Sequence, residues 1–188
     1  MMWFDTKTRW INTRHSYGWP AIALHWLMLA LLAVVYASME FKSVFPKGSS
    51  GREAMALWHY MLGLSVFGLA WLRLLARLPG HKPVVAPPMP AWQAWAAGSA
   101  HWALYALLLG LPILGWLTLS AKGVATPFFG IELPALIGEN KAQAKWLKNI
   151  HETVATAGYV LIGLHAAAAL FHHYVKRDNT LKLMLPRR

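Results

Sequence analysis

The chain has 188 residues, of which 57% are hydrophobic and only 13% charged, a balance too apolar for a soluble globule of this size and suited to an integral membrane protein. It contains no cysteine, which excludes disulfides, thiolate-ligated haem, cysteine-held iron–sulfur clusters and cysteine-type zinc sites, so a metal centre here must use histidine. The formal net charge of +11 does not point to nucleic acid, because the basic residues flank apolar spans instead of forming one soluble patch.

The length predicts one membrane domain, 1–188. Its first twenty residues carry Lys7, Arg9 and Arg14, and no short apolar core with a small-residue cleavage site follows, so no removable signal is expected. Span one is predicted at about 20–41, opening at Pro20 and holding His25 near its start. The stretch KSVFPKGSSGRE, rich in Gly, Ser and Pro, reads as a loop before span two at about 53–77, which carries His59. LPGHKPVVAPPMP is a proline-rich connector, unfit for a membrane-embedded helix. Span three, about 91–120, contains His101 and Pro112, where a kink is expected. AKGVATPFFGIELPALIGENKAQAK is the longest loop and hence a candidate for function. Span four, about 146–176, is followed by the basic tail KRDNTLKLMLPRR. The expected fold is an all-α membrane protein, a four-helix transmembrane bundle.

Span four is where the chemistry concentrates. A polar ring in hydrocarbon is costly and usually marks a site, yet this span carries His151, His165, His172 and His173. His151 and His165 are fourteen residues apart, which at 100° per residue places them on one helix face with about 21 Å of rise between them. They therefore sit near opposite sides of a bilayer core about 30 Å thick, a spacing that suits two stacked metal centres. Gly158 lies midway on the same face, where a missing side chain lets a bulky group lie flat.

Four spans put both termini on one side of the membrane. Eleven Lys or Arg lie on the side of the termini and the 73–82 region, and seven on the other, so basic-inside bias places both termini in the cytoplasm. On that topology His25, eleven residues after Arg14, and His165, eleven before Lys176, share a depth near the inner leaflet; His59 and His151, close after Arg52 and Lys148, share one near the outer leaflet. Two histidine pairs, each bridging two helices, suit bis-imidazole ligation of two b-type haems. Zinc would want three or four ligands at one point. His101 has a depth comparable to His25 and is an alternative inner ligand, a group supporting the ligands, or a quinone contact. Gly115, fourteen residues beyond His101, would again make room for a ring near the outer pair. His172, near the inner surface, is a candidate quinone partner or proton donor, and Arg73 a candidate clamp for a haem carboxylate.

The segments HETVATAGYVLIGLHAAAALFHHYVKRDNTLKLMLPRR, LHWLMLALLAVVYASMEFKSVFPKG, WHYMLG and RLLARL together closely resemble the small bacterial cytochrome b561 family. The resemblance runs from about residue 20 to the end. It implies a four-helix inner-membrane protein holding two haem b groups, with His25 and His165 matching one ligand pair and His59 and His151 the other. For the nearest family members it implies superoxide:ubiquinone oxidoreductase activity, superoxide oxidase. In that light Lys122, Lys141, Lys145 and Lys148, on the outer side, are candidate catalytic residues: a basic funnel that concentrates the superoxide anion. The expected partners are superoxide, ubiquinone and the lipid bilayer. The rival expectation is a haem-b electron-transfer anchor serving a partner dehydrogenase or a periplasmic carrier.

Overall fold

The computed structural model describes residues 10–186, so Lys7, Arg9, Arg187 and Arg188 of the charge count lie outside the described residues. Four long helices dominate: α1 (Trp19–Lys42), α2 (Ser50–Leu75), α3 (Ala91–Ala121) and α4 (Lys141–Phe171). All four are long and apolar enough to cross a membrane. In α4 only 6% of the most apolar window is buried against protein, an exposure that water would not tolerate and lipid does. This is an all-α, four-helix transmembrane protein.

The helices start where polar caps allow. Helix α4 begins at Lys141, five residues before the predicted span, because the Asn140 side chain accepts the Gln143 N–H at 3.0 Å and satisfies an orphan donor of the first turn. Asn140 is itself anchored, its N–H donating to Ala121 O at 2.9 Å. Helix α2 likewise starts at Ser50 instead of 53, behind Ser49, whose hydroxyl accepts the Arg52 N–H at 3.4 Å. Pro112 sits inside α3, and the helix continues past it. The long loop is not structureless: β1 (Thr126–Phe128) pairs antiparallel with β2 (Ile131–Leu133) across Phe129 and Gly130, both at positive φ. Two such residues form the tight hairpin turn whose twist matches the strands.

Contacts divide the chain into two compact units. One comprises residues up to Leu27, Trp71–Leu104 and Val160 onward. The segment after α4 is tied to the rest of this unit: Trp26 Nε1 of α1 donates to Met184 O at 2.7 Å, and Asn179 Oδ1 accepts the Ala86 N–H at 2.8 Å. The other comprises Met28–Ala70 and Tyr105–Tyr159. Met28, Val35, Val66 and Ala70 form its buried core with leucines of α1, α2 and α3; Ala70 is fully buried, the kind of small residue that lets membrane helices approach closely.

Candidate functional site

In the Met28–Ala70 and Tyr105–Tyr159 unit, α2 and α4 bring His59 and His151 face to face, ring centroids 6.1 Å apart and planes at 76°. Each ring is oriented by a backbone carbonyl of a neighbouring helix: His59 Nδ1 lies 3.0 Å from Val35 O, and His151 Nδ1 lies 3.1 Å from Leu111 O. A carbonyl only accepts, so Nδ1 carries the proton in both rings and Nε2 keeps its lone pair for a metal. Both rings line a cavity of about 420 Å³ with a largely apolar wall, within the size range of cofactor pockets. Gly115 lies against His151, since a Cβ there would stand 3.4 Å from the ring carbon Cε1. Gly158 differs from expectation: the Tyr36 hydroxyl and a Leu107 methyl already occupy the space beside it, so its missing side chain accommodates protein rather than a flat group. Tyr36 is held there by donating to Ala155 O at 3.0 Å.

In the unit containing Leu27 and Val160, α1 and α4 place the His25 and His165 ring centroids 6.3 Å apart with planes at 74°. His101 of α3 is nearer to His165, at 5.4 Å, and its Nδ1 is held 2.6 Å from Ala97 O. The charge of Arg73 acts on all three rings, and those of Arg77 and Lys82 also reach His101.

Two imidazoles that share a metal, each nitrogen about 2 Å from it and about 1 Å from its ring centre, hold their centroids about 6 Å apart. The His59–His151 and His25–His165 separations fit that arrangement, and the His101–His165 separation is short for it. Among the described residues no group of three or more His, Asp or Glu could hold a metal ion, so a group bringing its own equatorial donors, as a porphyrin does, suits the two-ligand pairs.

The four candidate lysines converge. Lys122, Lys141, Lys145 and Lys148 line one concavity together with Ala144. Lys141, Lys145 and Lys148 fall on one face of α4 by their spacing, and no acidic residue occupies its first turn; lysines there oppose the helix dipole, so helix stability does not account for them. Lys122 and Lys148 also line the His59/His151 cavity, as does Lys42. Lys42 is a cation that sequence reasoning passed over: its charge acts on His59, and the charges of Arg52, Lys122 and Lys148 act on it in turn. Its place at the end of α1, on the lysine side, was the available signal. Lys148 is partly engaged, paired with Glu152 at 2.8 Å.

His172 opens a single π-helical turn, His172–Lys176, that ends α4. Its Nδ1 is hydrogen-bonded to the Asp178 carboxylate, a partner the sequence did not reveal. Asp178 is 4% exposed, and its Oδ1 also accepts the Thr180 N–H at 2.8 Å.

Comparison with known proteins fits this geometry. The family described as prokaryotic cytochrome b561 matches residues 16–187. Cytochrome b561 homolog 1 of Escherichia coli strain K12 is 44% identical over 167 residues, covering 89% of this chain and 95% of its own length. The probable superoxide oxidase CybB of Yersinia pestis is 34% identical over 173 residues, 92% of this chain and 97% of that one. Cytochrome b561 homolog 2 of Escherichia coli strain K12 is 29% identical over 175 residues, 93% of each. The chain belongs to the prokaryotic cytochrome b561 family, membrane electron-transfer proteins built on b-type haem.

Proposed function

We propose that this cytochrome b561 family member is a superoxide:ubiquinone oxidoreductase of the bacterial inner membrane, with both termini cytoplasmic and its lysine concavity on the outer face. The observation that carries the reading is that concavity: four lysines around one hollow, two of which also line the wall of the His59/His151 cavity. The similarity to a relative named probable superoxide oxidase supports the choice of anion.

His59 and His151 would hold one haem b through Nε2, and His25 and His165 a second. Haem b, when bound, supplies reversible one-electron chemistry. The protein's own residues do the rest. Lys122, Lys141, Lys145, Lys148 and Lys42 raise the local concentration of a small anion and shorten its search, an effect that electrostatic focusing makes worth about tenfold or more at low salt. No proton is required on that side, because superoxide leaves as dioxygen after losing one electron. Arg73 fits a propionate clamp, since its charge reaches all three rings of its unit and arginine grips carboxylates bidentately. His101 stands beside His165 as an orienting neighbour. On the cytoplasmic side ubiquinone must gain two electrons and two protons, and His172 is the residue placed to hand over a proton.

Steady-state assay of the purified protein, with superoxide and a short-chain ubiquinone and no other protein, tests the reading. Quinone reduction is expected, falling as ionic strength rises. Intact haem spectra without quinone reduction would replace it with an electron-transfer anchor whose lysine surface docks a protein donor.

A further inference from the structure

Only one described carboxylate belongs to the unit that contains His25, His101 and His165, and it is Asp178; the described glutamates all belong to the other unit. That unit is crowded with cations, among them Arg73, Arg77, Lys82, Lys176 and Arg177. A carboxylate serving charge balance alone would be met by one of them at the surface. Instead it is buried and bonded to an imidazole. The backbone is shaped to put it there. Helix α4 ends in a π turn, a distortion that recurs at functional sites. Arg177 then adopts the left-handed conformation at φ 55, which is unfavourable for a non-glycine residue and persists only where surroundings enforce it. The reversal carries the Asp178 N–H back onto His172 O at 3.2 Å, and the carboxylate onto His172 Nδ1. Asn179 pins the turn from outside, donating to Val84 O and accepting from Ala86. The adjacent His173 has no such orientation: its Nδ1 is buried without a hydrogen-bond partner among the described residues.

We propose that Asp178 is a positioning residue for proton delivery: it fixes His172 with Nδ1–H on the carboxylate and Nε2 toward the quinone-class acceptor. This rests on the reading of a quinone as electron acceptor. In the step itself, the Nε2–H bond of the His172 imidazolium breaks as an O–H bond forms on a quinone oxygen, and the electrons that the quinone takes up originate in superoxide. Imidazole is left neutral with Nδ1–H still on Asp178, and Nε2 is reprotonated from cytoplasmic water before the second transfer. The buried carboxylate accepts from Nδ1–H and blocks the other tautomer, the same orienting logic by which a carboxylate serves a catalytic histidine elsewhere.

The test compares wild type, Asp178→Asn and Asp178→Glu, purified with full haem content, using a short-chain ubiquinone. Asp178→Asn is expected to lower kcat about tenfold or more, within the range a positioned acid contributes, with KM for quinone changed less than about twofold, and Asp178→Glu to recover most of the loss. Nitrogen-15 spectra of histidine-labelled protein, with the His172 signal identified by its loss in His172→Gln, should show Nδ1–H in wild type and a mixture in Asp178→Asn. Active wild type with an unchanged kcat in Asp178→Asn, or an unchanged His172 signal, overturns the role of Asp178 alone. Wild type that holds its haems and leaves quinone unreduced overturns the acceptor reading and this proposal with it.

Discussion

His59 and His151 show most directly how individual residues carry the account. Each ring is presented by a carbonyl on a different helix, Val35 O and Leu111 O, so each owes its tautomer to a neighbour rather than to its own helix. If each pair holds one haem, removing either member of a pair loses the same haem. His59→Ala and His151→Ala should therefore each leave about half the haem per chain, and the double variant should leave no less than either single. His59→Ala with His165→Ala should leave none; haem retained in that pair, measured by pyridine haemochrome, would break the pairing. Asp178 supports a second prediction at this scale. Burial pushes its carboxyl up, but the hydrogen bonds from His172 and Thr180 outweigh that and hold it below the ordinary carboxylate range. A depressed folded value means that the group stabilises the protein fully above the unfolded pKa of about 3.9 and loses that contribution as pH falls through the folded value. Thermal stability of Asp178→Asn should thus be lower than wild type at neutral pH and converge with it in acid; a constant gap down to pH 3 would contradict the sign. The histidines were legible because a polar ring in an apolar span stands out. Asp178 was not, since an aspartate in a basic tail reads as solvated, and its burial depends on the π turn, the left-handed Arg177 and the distant clasp of Asn179 on Val84 and Ala86.

Among the elements, the N-terminal end of α4 decides most. Lys141 to Lys145 reads as loop by composition, and only the cap from Asn140, itself tied to Ala121 O, brings those residues into the helix. That early start gives Lys141, Lys145 and Lys148 a common face and joins them to Lys122. Replacing Lys141, Lys145 and Lys148 by Gln together should slow superoxide capture about tenfold at low salt and flatten its salt dependence, without altering haem content. An unchanged rate and slope would remove the funnel from the mechanism. Helix existence was readable from four apolar runs; the helix starts were not, because caps at Ser49 and Asn140 act through one or two hydrogen bonds that hydropathy does not register. The role of Gly158 was misread for a related reason. A glycine announces space, and only the positions of Tyr36 and Leu107 say what fills it.

At the scale of the whole molecule, cations are distributed between two jobs. In one unit they gather around a hollow beside the His59/His151 cavity; in the other Arg73 acts on three histidines, while the one described carboxylate, Asp178, is bonded to His172. The absence of cysteine removed thiolate ligands and left the histidines of the apolar spans standing out, and composition alone placed the chain in a bilayer. The function hangs on whether both histidine pairs, set 6.1 and 6.3 Å apart, hold a haem. Haem per chain in the purified protein, from pyridine haemochrome absorbance against amino-acid analysis, tests this most directly. The account predicts two b haems per chain; one or none would contradict it.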